Sequence, residues 1–159
     1  MQAPSDIVRD HWPEYLMEAA GLGLFMISAA VMTSLLEYPN SPLYPLLPDP
    51  VVRRVLIGIA MGLTAIGIIY SPWGKRSGAH LNPAVTMTFF RLGKIQGLDA
   101  LFYVLAQFAG GLIGLLVAAL AIGMAIEHPT VNYVVTVPGL DGAGVAFAAE
   151  ACISFGLML

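Results

Sequence analysis

A chain of 159 residues that is 58% hydrophobic and only 11% charged has too few charged side chains to cover a water-soluble surface, because soluble domains average about 25% charged residues. The net charge of −3 is small, and the seven basic residues are spread over loops, which excludes nucleic acid as a partner. The composition therefore predicts a membrane protein in contact with the lipid bilayer.

Four apolar runs follow one another along the chain, and each approaches the roughly 20 residues that cross hydrocarbon as a helix. They are residues 15–36, 51–71, 99–123 and 142–159. The charged residues before Tyr15 predict a short tail rather than a signal peptide. The stretch 37–50 holds five prolines and predicts a loop, because proline lacks a backbone N–H and disfavours helix in the residue before it. A second loop is predicted over residues 124–140.

Between the second and third runs, residues 83–92 predict a helix that is too short to cross a membrane. Asn82 is a typical N-cap residue, and Pro83 suits the first helical position, where its missing N–H costs nothing. Gly93 can take the left-handed conformation that ends a helix. Ten residues give about 15 Å of helix, half of a hydrocarbon core of about 30 Å. The segment therefore predicts a re-entrant half-helix that reaches the middle of the membrane.

The distribution of basic residues predicts the orientation. If the N-terminus is cytoplasmic, five basic residues fall on the cytoplasmic side and two on the other, in agreement with the positive-inside rule. The five are Arg9, Lys75, Arg76, Arg91 and Lys94, and the two are Arg53 and Arg54. We expect a cytoplasmic N-terminus.

A weak internal repeat links the first and fourth runs. Glu18-Ala19-Ala20 recurs as Glu150-Ala151-Cys152, at an offset of 132 residues. Because three runs precede the second copy, that copy enters the membrane from the opposite side, as in the inverted repeats of many channels and transporters. We expect the chain to hold the first repeat and only the start of the second, so that residues 1–159 form an incomplete channel domain.

The residues from Ser77 to Thr86, SGAHLNPAVT, match the first signature of the aquaporin (major intrinsic protein) family. The chain resembles the first half of a member of that family. The resemblance implies an all-α membrane fold in which spanning helices and two half-helices form an inverted repeat. It also implies a passive channel for water or small neutral solutes such as glycerol, in a cell membrane, as a homotetramer and with no cofactor.

Elementary electrostatics also favours a pore at the half-helix. A helix N-terminus at the bilayer centre presents unpaired N–H groups and about half a positive charge, and Asn82 adds an amide donor. Water there turns its oxygen toward the donors, so cations and protons are excluded. An extended backbone upstream would add a ladder of carbonyl acceptors. The expected pore-lining residues are Gly78, Ala79, His80, Leu81, Asn82, Pro83 and Ala84.

Glu18, Gln107 and Glu150 are the expected supports of the re-entrant segments. Carboxylates inside a membrane are functional candidates, so a proton relay is the alternative for the two glutamates. The family resemblance instead implies that they are buried and accept hydrogen bonds from re-entrant backbone. Gly58-x-x-x-Gly62 and Gly110-x-x-x-Gly114 predict close helix packing.

His80 and Met61 each allow two interpretations. The His80 side chain lines the pore in one and is a buried core histidine in the other. Met61 lies near the selectivity-filter position that the resemblance implies, although core packing is the more ordinary role of a methionine. Thr86 and Thr88 are expected to bond back to the carbonyls of their own helix.

No catalytic motif accompanies the channel-like segment. The sequence has no zinc-binding His-Glu-x-x-His, no Gly-x-Ser-x-Gly and no paired acids on one helix, so neither an enzyme nor a metal site is expected. Two functions stay open at this point. One is the channel, and the other is a non-conducting half-channel that acts as a membrane scaffold or assembly partner.

Overall fold

The structure, a computed structural model, describes residues 4–139 and 141–158 and contains no strand within them. The helices are α1 (Pro4–Glu37), α2 (Pro50–Tyr70), α3 (Pro72–Ser77), α4 (Pro83–Arg91), α5 (Gly97–Ile122), α6 (Met124–Glu127) and α7 (Gly142–Met158). The predicted all-α class is confirmed. Residues 1–3, 140 and 159 of the expected channel domain lie outside the described residues.

Three of the described helices, α1, α2 and α5, are long and apolar enough to cross a membrane. Helices α2 and α5 begin and end within two residues of the predicted runs 51–71 and 99–123. Helix α7 is also apolar but has only 17 residues, which is fewer than a typical spanning helix needs. The chain is therefore built as an integral membrane protein.

Helix α1 begins well before Tyr15, so the prediction of a tail is wrong. Its 34 residues include Pro13 and extend for about 51 Å. The extension is held to the start of α5, because His11 Nδ1 lies 2.8 Å from Asp99 Oδ1 and the Tyr15 hydroxyl donates to the same oxygen at 2.6 Å. Ile7 is buried in this region. These tertiary contacts offset the loss of the backbone hydrogen bond that Pro13 cannot make.

Helices α1 and α5 pack backbone to backbone through small residues. A Cβ atom at Gly110 would lie 2.0 Å from the carbonyl oxygen of Ala19, and one at Gly114 would lie 2.3 Å from that of Gly23. Only glycine permits this approach, which is typical of small-x-x-x-small pairs in membranes. The predicted close packing at Gly110 and Gly114 is confirmed, and it sets the position of Glu18, one residue before Ala19.

The second glycine pair behaves differently. A Cβ atom at Gly58 or Gly62 would meet nothing within 4 Å, so this pair makes no close helix contact among the described residues, and its predicted packing stays a prediction. Helix α2 meets α1 through another face, where the hydroxyls of Ser28 and Thr64 are 2.8 Å apart. The glycine face of α2 is therefore open.

The two ends of α1 are fixed by different ion pairs. At the C-terminal end, the buried Arg53 guanidinium bonds Glu37 at 3.1 Å and the carbonyl oxygens of Leu47 and Pro48 at 2.8 and 3.1 Å, which secures the proline-rich loop. At the other end, Arg76 donates to Glu14 at 2.8 Å. Arg53 and Arg76, which the sequence assigns to opposite sides of the membrane, thus bind near opposite ends of α1.

Candidate re-entrant pore segment

Two tight turns bring the chain back toward α1 after α2. The Ser71 hydroxyl accepts from the Gly74 amide at 3.0 Å and so caps α3. A Cβ atom at Gly74 would lie 2.1 Å from the carbonyl oxygen of Ile68, so only glycine lets α3 fold against the end of α2. Gly78 then ends α3 with a φ of 90°, a conformation that glycine adopts without steric cost.

Glu18 lies at the centre of the segment that follows, and it is fully buried. Its Oε1 accepts from the Ser77 hydroxyl at 2.8 Å and from the His80 amide at 3.0 Å. Its Oε2 accepts from the Leu81 amide at 2.8 Å and from Gln107 Nε2 at 2.9 Å. A buried charge is tolerated only when it is paired or hydrogen-bonded, and here the partners are four neutral donors.

The backbone before the half-helix is left-handed, so the expectation of an extended chain is wrong. The φ angle is 90° at Gly78, 45° at Ala79 and 50° at Leu81, which is uncommon for residues with a side chain. In an extended strand, successive amides point in opposite directions, so those of His80 and Leu81 would not both reach one carboxylate. The left-handed residues turn both amides toward Glu18.

The same geometry sets the direction of two carbonyl groups. A trans peptide holds its N–H and the preceding C=O on opposite sides, and no cis peptide occurs among the described residues. Because the amides of His80 and Leu81 point at Glu18, the carbonyls of Ala79 and His80 point away from it. Two adjacent acceptors are therefore available on the side of the segment that faces away from α1.

A second set of buried contacts fixes the His80 ring against the half-helix. Its Nδ1 lies 3.1 Å from Thr86 Oγ1, and the ring stacks on Phe89 at a centroid distance of 4.6 Å. Gln107 Nε2 donates a hydrogen bond to the same Thr86 Oγ1 at 3.0 Å. The expectation that the His80 side chain lines an open pore is wrong, since His80 is only 6% exposed and its ring packs inside the protein.

Several residues of this cluster were not expected from the sequence. The hydroxyl of Thr86 bonds across to His80 and Gln107 instead of back to its own helix, whereas Thr88 does bond back, to the carbonyl oxygen of Ala84 at 2.9 Å. The Tyr103 hydroxyl donates to the carbonyl oxygen of Ser77 at 2.7 Å. Tyr103 precedes Gln107 by one helical turn, and this spacing is the signal that places both on one face.

The half-helix itself begins as the sequence predicts. The Asn82 side-chain oxygen accepts from the Ala84 amide at 2.7 Å, with Pro83 in the first helical position. The helix ends at Arg91, one residue before the predicted end, and Gly93 has a φ of 67°. Asn82 and Ala84 are exposed and Pro83 is half-buried. Within the described part of the chain, the Asn82 amide nitrogen has no hydrogen-bond partner, so its two donors are free.

Glu150 and Met61 are not brought to this cluster. Glu150 is exposed, because α7 makes no extensive contact with the other described helices, and its role as a support of a re-entrant segment stays a prediction. Met61 is half-buried on α2, one turn before Thr64, and its role in a filter stays a prediction. Across residues 4–139 and 141–158, no group of three or more His, Cys, Asp or Glu side chains is arranged to hold a metal ion.

Comparison with known proteins identifies the family. The model of the major intrinsic protein family matches residues 8–159. The chain is 38% identical to the probable aquaporin AqpM of Archaeoglobus fulgidus over 104 residues, which cover 65% of this chain and 42% of that protein. It is 36% identical to aquaporin-5 of Ovis aries over 113 residues, 70% of this chain and 41% of that protein.

A plant protein is similar to the same degree. The putative aquaporin NIP4-1 of Arabidopsis thaliana is 38% identical over 102 residues, 64% of this chain and 34% of that protein. No solved structure matches the chain. The matched part thus spans about two fifths of the length of AqpM and aquaporin-5. With a family match over nearly all of its residues, this chain belongs to the major intrinsic protein family.

Proposed function

We propose that this chain builds part of the wall of a passive channel for water or small neutral solutes, and that the start of its half-helix excludes ions and protons. The observation that carries the proposal is the exposed Asn82, which has free amide donors and lies at the positive end of α4. The relatives named as aquaporins support the same function.

The mechanism needs donors and acceptors in a fixed order along a path. The free Asn82 amide and the first amides of α4 orient the oxygen of a passing water. The carbonyls of Ala79 and His80 accept its hydrogens on the preceding stretch. A water held by its oxygen cannot accept a proton from its neighbour, so the chain of proton transfers is interrupted, and the helix dipole repels cations.

The orientation and the assembly are part of the proposal. The basic residues favour a cytoplasmic N-terminus, and we place the protein in a cell membrane. A homotetramer is consistent with the open apolar face of α2, where Gly58 and Gly62 have free space around them. Met61 is proposed to contribute to the filter that selects between water and larger solutes.

The test is transport in liposomes by the intact channel of which this chain forms part of the wall. Stopped-flow swelling is expected to be faster than in empty liposomes, without a proton leak. The Asn82→Asp variant places a carboxylate at the positive focus and is expected to raise cation leak. Asn40→Asp, which makes the same change in the proline-rich loop, is the matched control and is expected to leave the leak unchanged.

Two results would contradict the proposal. Swelling no faster than in empty liposomes, from the intact protein with its helical content preserved, would support the non-conducting scaffold. An Asn82→Asp variant that is as cation-tight as the parent would overturn the electrostatic role of this helix end, even if water flux were rapid.

A further inference from the structure

Two cavities follow one another along the seam between α1 and α5. The inner one, of about 430 Å³, is lined by apolar groups that include Leu24, Ile27, Ile113 and Val117. The outer one, of about 290 Å³, lies between the last turns of both helices and the start of the proline-rich loop. Val31 lines the outer cavity and is four residues from Ile27, so both cavities lie along one face of α1.

A buried hydroxyl without a partner lines the outer cavity. Ser34 is 6% exposed, and its Oγ has no hydrogen-bond partner in the structure. Leaving such a group unsatisfied costs about 1–3 kcal/mol. The nearby Ser41 hydroxyl, by contrast, is already bonded to Leu35 and Leu43. A bound molecule with an acceptor oxygen would therefore be stabilised beside Ser34.

The level of Ser34 in the membrane indicates what that molecule is. Helix α1 ends at Glu37 and α5 ends at Ile122, so Ser34 and Ile122 lie within the last turn of two spanning helices. This is the depth at which hydrocarbon gives way to the polar interface. Tyr38, one turn beyond Ser34, is of the residue type that is enriched at that level. Below Ser34 the seam is apolar through the thickness of the hydrocarbon.

We propose that this seam binds one phospholipid of the leaflet at the C-terminal end of α1. One acyl chain lies along Val31, Ile27 and Leu24, and the hydroxyl of Ser34 donates to an oxygen of the linkage between glycerol and that chain. The order of the groups carries the assignment, since a hydroxyl donor at the interface followed by a mainly apolar groove matches the order of groups in a lipid.

Water is a poorer occupant of the inner cavity. A buried water needs two to four polar partners, and apolar cavities stay dry. Among the side chains that line this cavity, only Trp73 carries a polar group, a single N–H donor, which is fewer than a buried water needs. A lipid tail fills the groove with dispersion contacts and removes apolar surface from any water that reaches the outer end.

The test is lipid retention by the full chain, measured by native mass spectrometry after transfer from dioleoylphosphatidylcholine bicelles into detergent. Ser34→Ala removes the donor, and we expect affinity for the retained lipid to fall about fivefold, as for one lost hydrogen bond. Val31→Phe places a larger side chain in the outer cavity, in the path proposed for the acyl chain, and we expect retention to fall by at least about tenfold.

Matched controls lie on α7, where Ser154→Ala and Val145→Phe make the same chemical changes at exposed positions. Both are expected to retain lipid as the parent does, and circular dichroism checks that all four variants keep their helical content. Equal retention by the parent and Val31→Phe would overturn the lipid site. A Ser34→Ala variant that binds as tightly as the parent would overturn the role of the hydroxyl.

Discussion

Helices α1 and α7 carry similar short segments, Glu18-Ala19-Ala20 and Glu150-Ala151-Cys152, in which the glutamates differ in burial. Glu18 on α1 is fully buried and accepts four hydrogen bonds. Glu150 on α7, in the corresponding motif, is exposed. The difference lies in the surroundings, because a re-entrant segment packs against α1, and none lies beside α7 within the described residues.

Among the described residues, the burial of these two carboxylates follows the presence of hydrogen-bond donors from a re-entrant segment. A buried charge is costly unless hydrogen bonds replace its hydration. The left-handed turn at Ala79 and Leu81 supplies two of those bonds. Where a corresponding turn packs against a carboxylate, we expect the acid to be buried in the same way.

The largest expected effect comes from removing the acid itself. Glu18→Leu leaves the amides of His80 and Leu81 and the Ser77 hydroxyl unpaired, at about 1–3 kcal/mol for each buried donor, so the variant is expected to lose most of its stability in detergent. Glu18→Gln keeps one acceptor oxygen and should be milder. Glu150→Leu is the control, with an expected change within about 0.5 kcal/mol.

Thermal unfolding followed by circular dichroism measures all three variants. Equal losses of stability in Glu18→Leu and Glu150→Leu would remove the contrast between the two helices.

A second test concerns the close packing of α1 against α5 beside Glu18. Gly110→Ala places a methyl group against the Ala19 carbonyl, where a Cβ would lie 2.0 Å from the oxygen, and overpacking of this kind costs about 1–3 kcal/mol. Gly144→Ala on α7 meets nothing within 4 Å and should be neutral or slightly stabilising. If Gly110→Ala unfolds at the parent temperature, α1 and α5 do not pack as described.

The smallest effect is expected from removing the Thr86 hydroxyl, which links the half-helix to His80 and Gln107. Thr86→Val keeps the shape of the side chain but removes the partner of His80 and Gln107, at about 1–2 kcal/mol. Thr88→Val, two residues further along the same helix, removes only a bond to its own backbone and should cost less. Denaturant unfolding compares the two, and an equal loss would mean that Thr86 contributes no more than an ordinary helix hydroxyl.

Local signals made one part of this site predictable. The ends of the half-helix are predictable from Asn82, Pro83 and Gly93, because the preference of these residues for helix ends depends only on neighbouring residues. The small residues at Gly110 and Gly114 likewise indicate a close helix crossing before its partner is known.

The rest depends on tertiary contacts that no local pattern encodes. The left-handed Ala79 and Leu81 give no signal, because neither residue favours positive φ. They are held there by Glu18, which lies about 60 residues earlier in the chain. The predicted bond from Thr86 back to its own helix is wrong for the same reason, since its partners His80 and Gln107 come from two other segments. The helical residues around Pro13 similarly depend on Asp99.

Amide hydrogen exchange at His80 and Leu81 tests most directly whether Glu18 organises the re-entrant segment. Both amides are expected to exchange slowly in the parent and in Glu150→Gln. In Glu18→Gln, which retains a single acceptor oxygen, at least one of them is expected to exchange about tenfold faster or more. Slow exchange of both amides in Glu18→Gln, or fast exchange of both in the parent, would contradict the account.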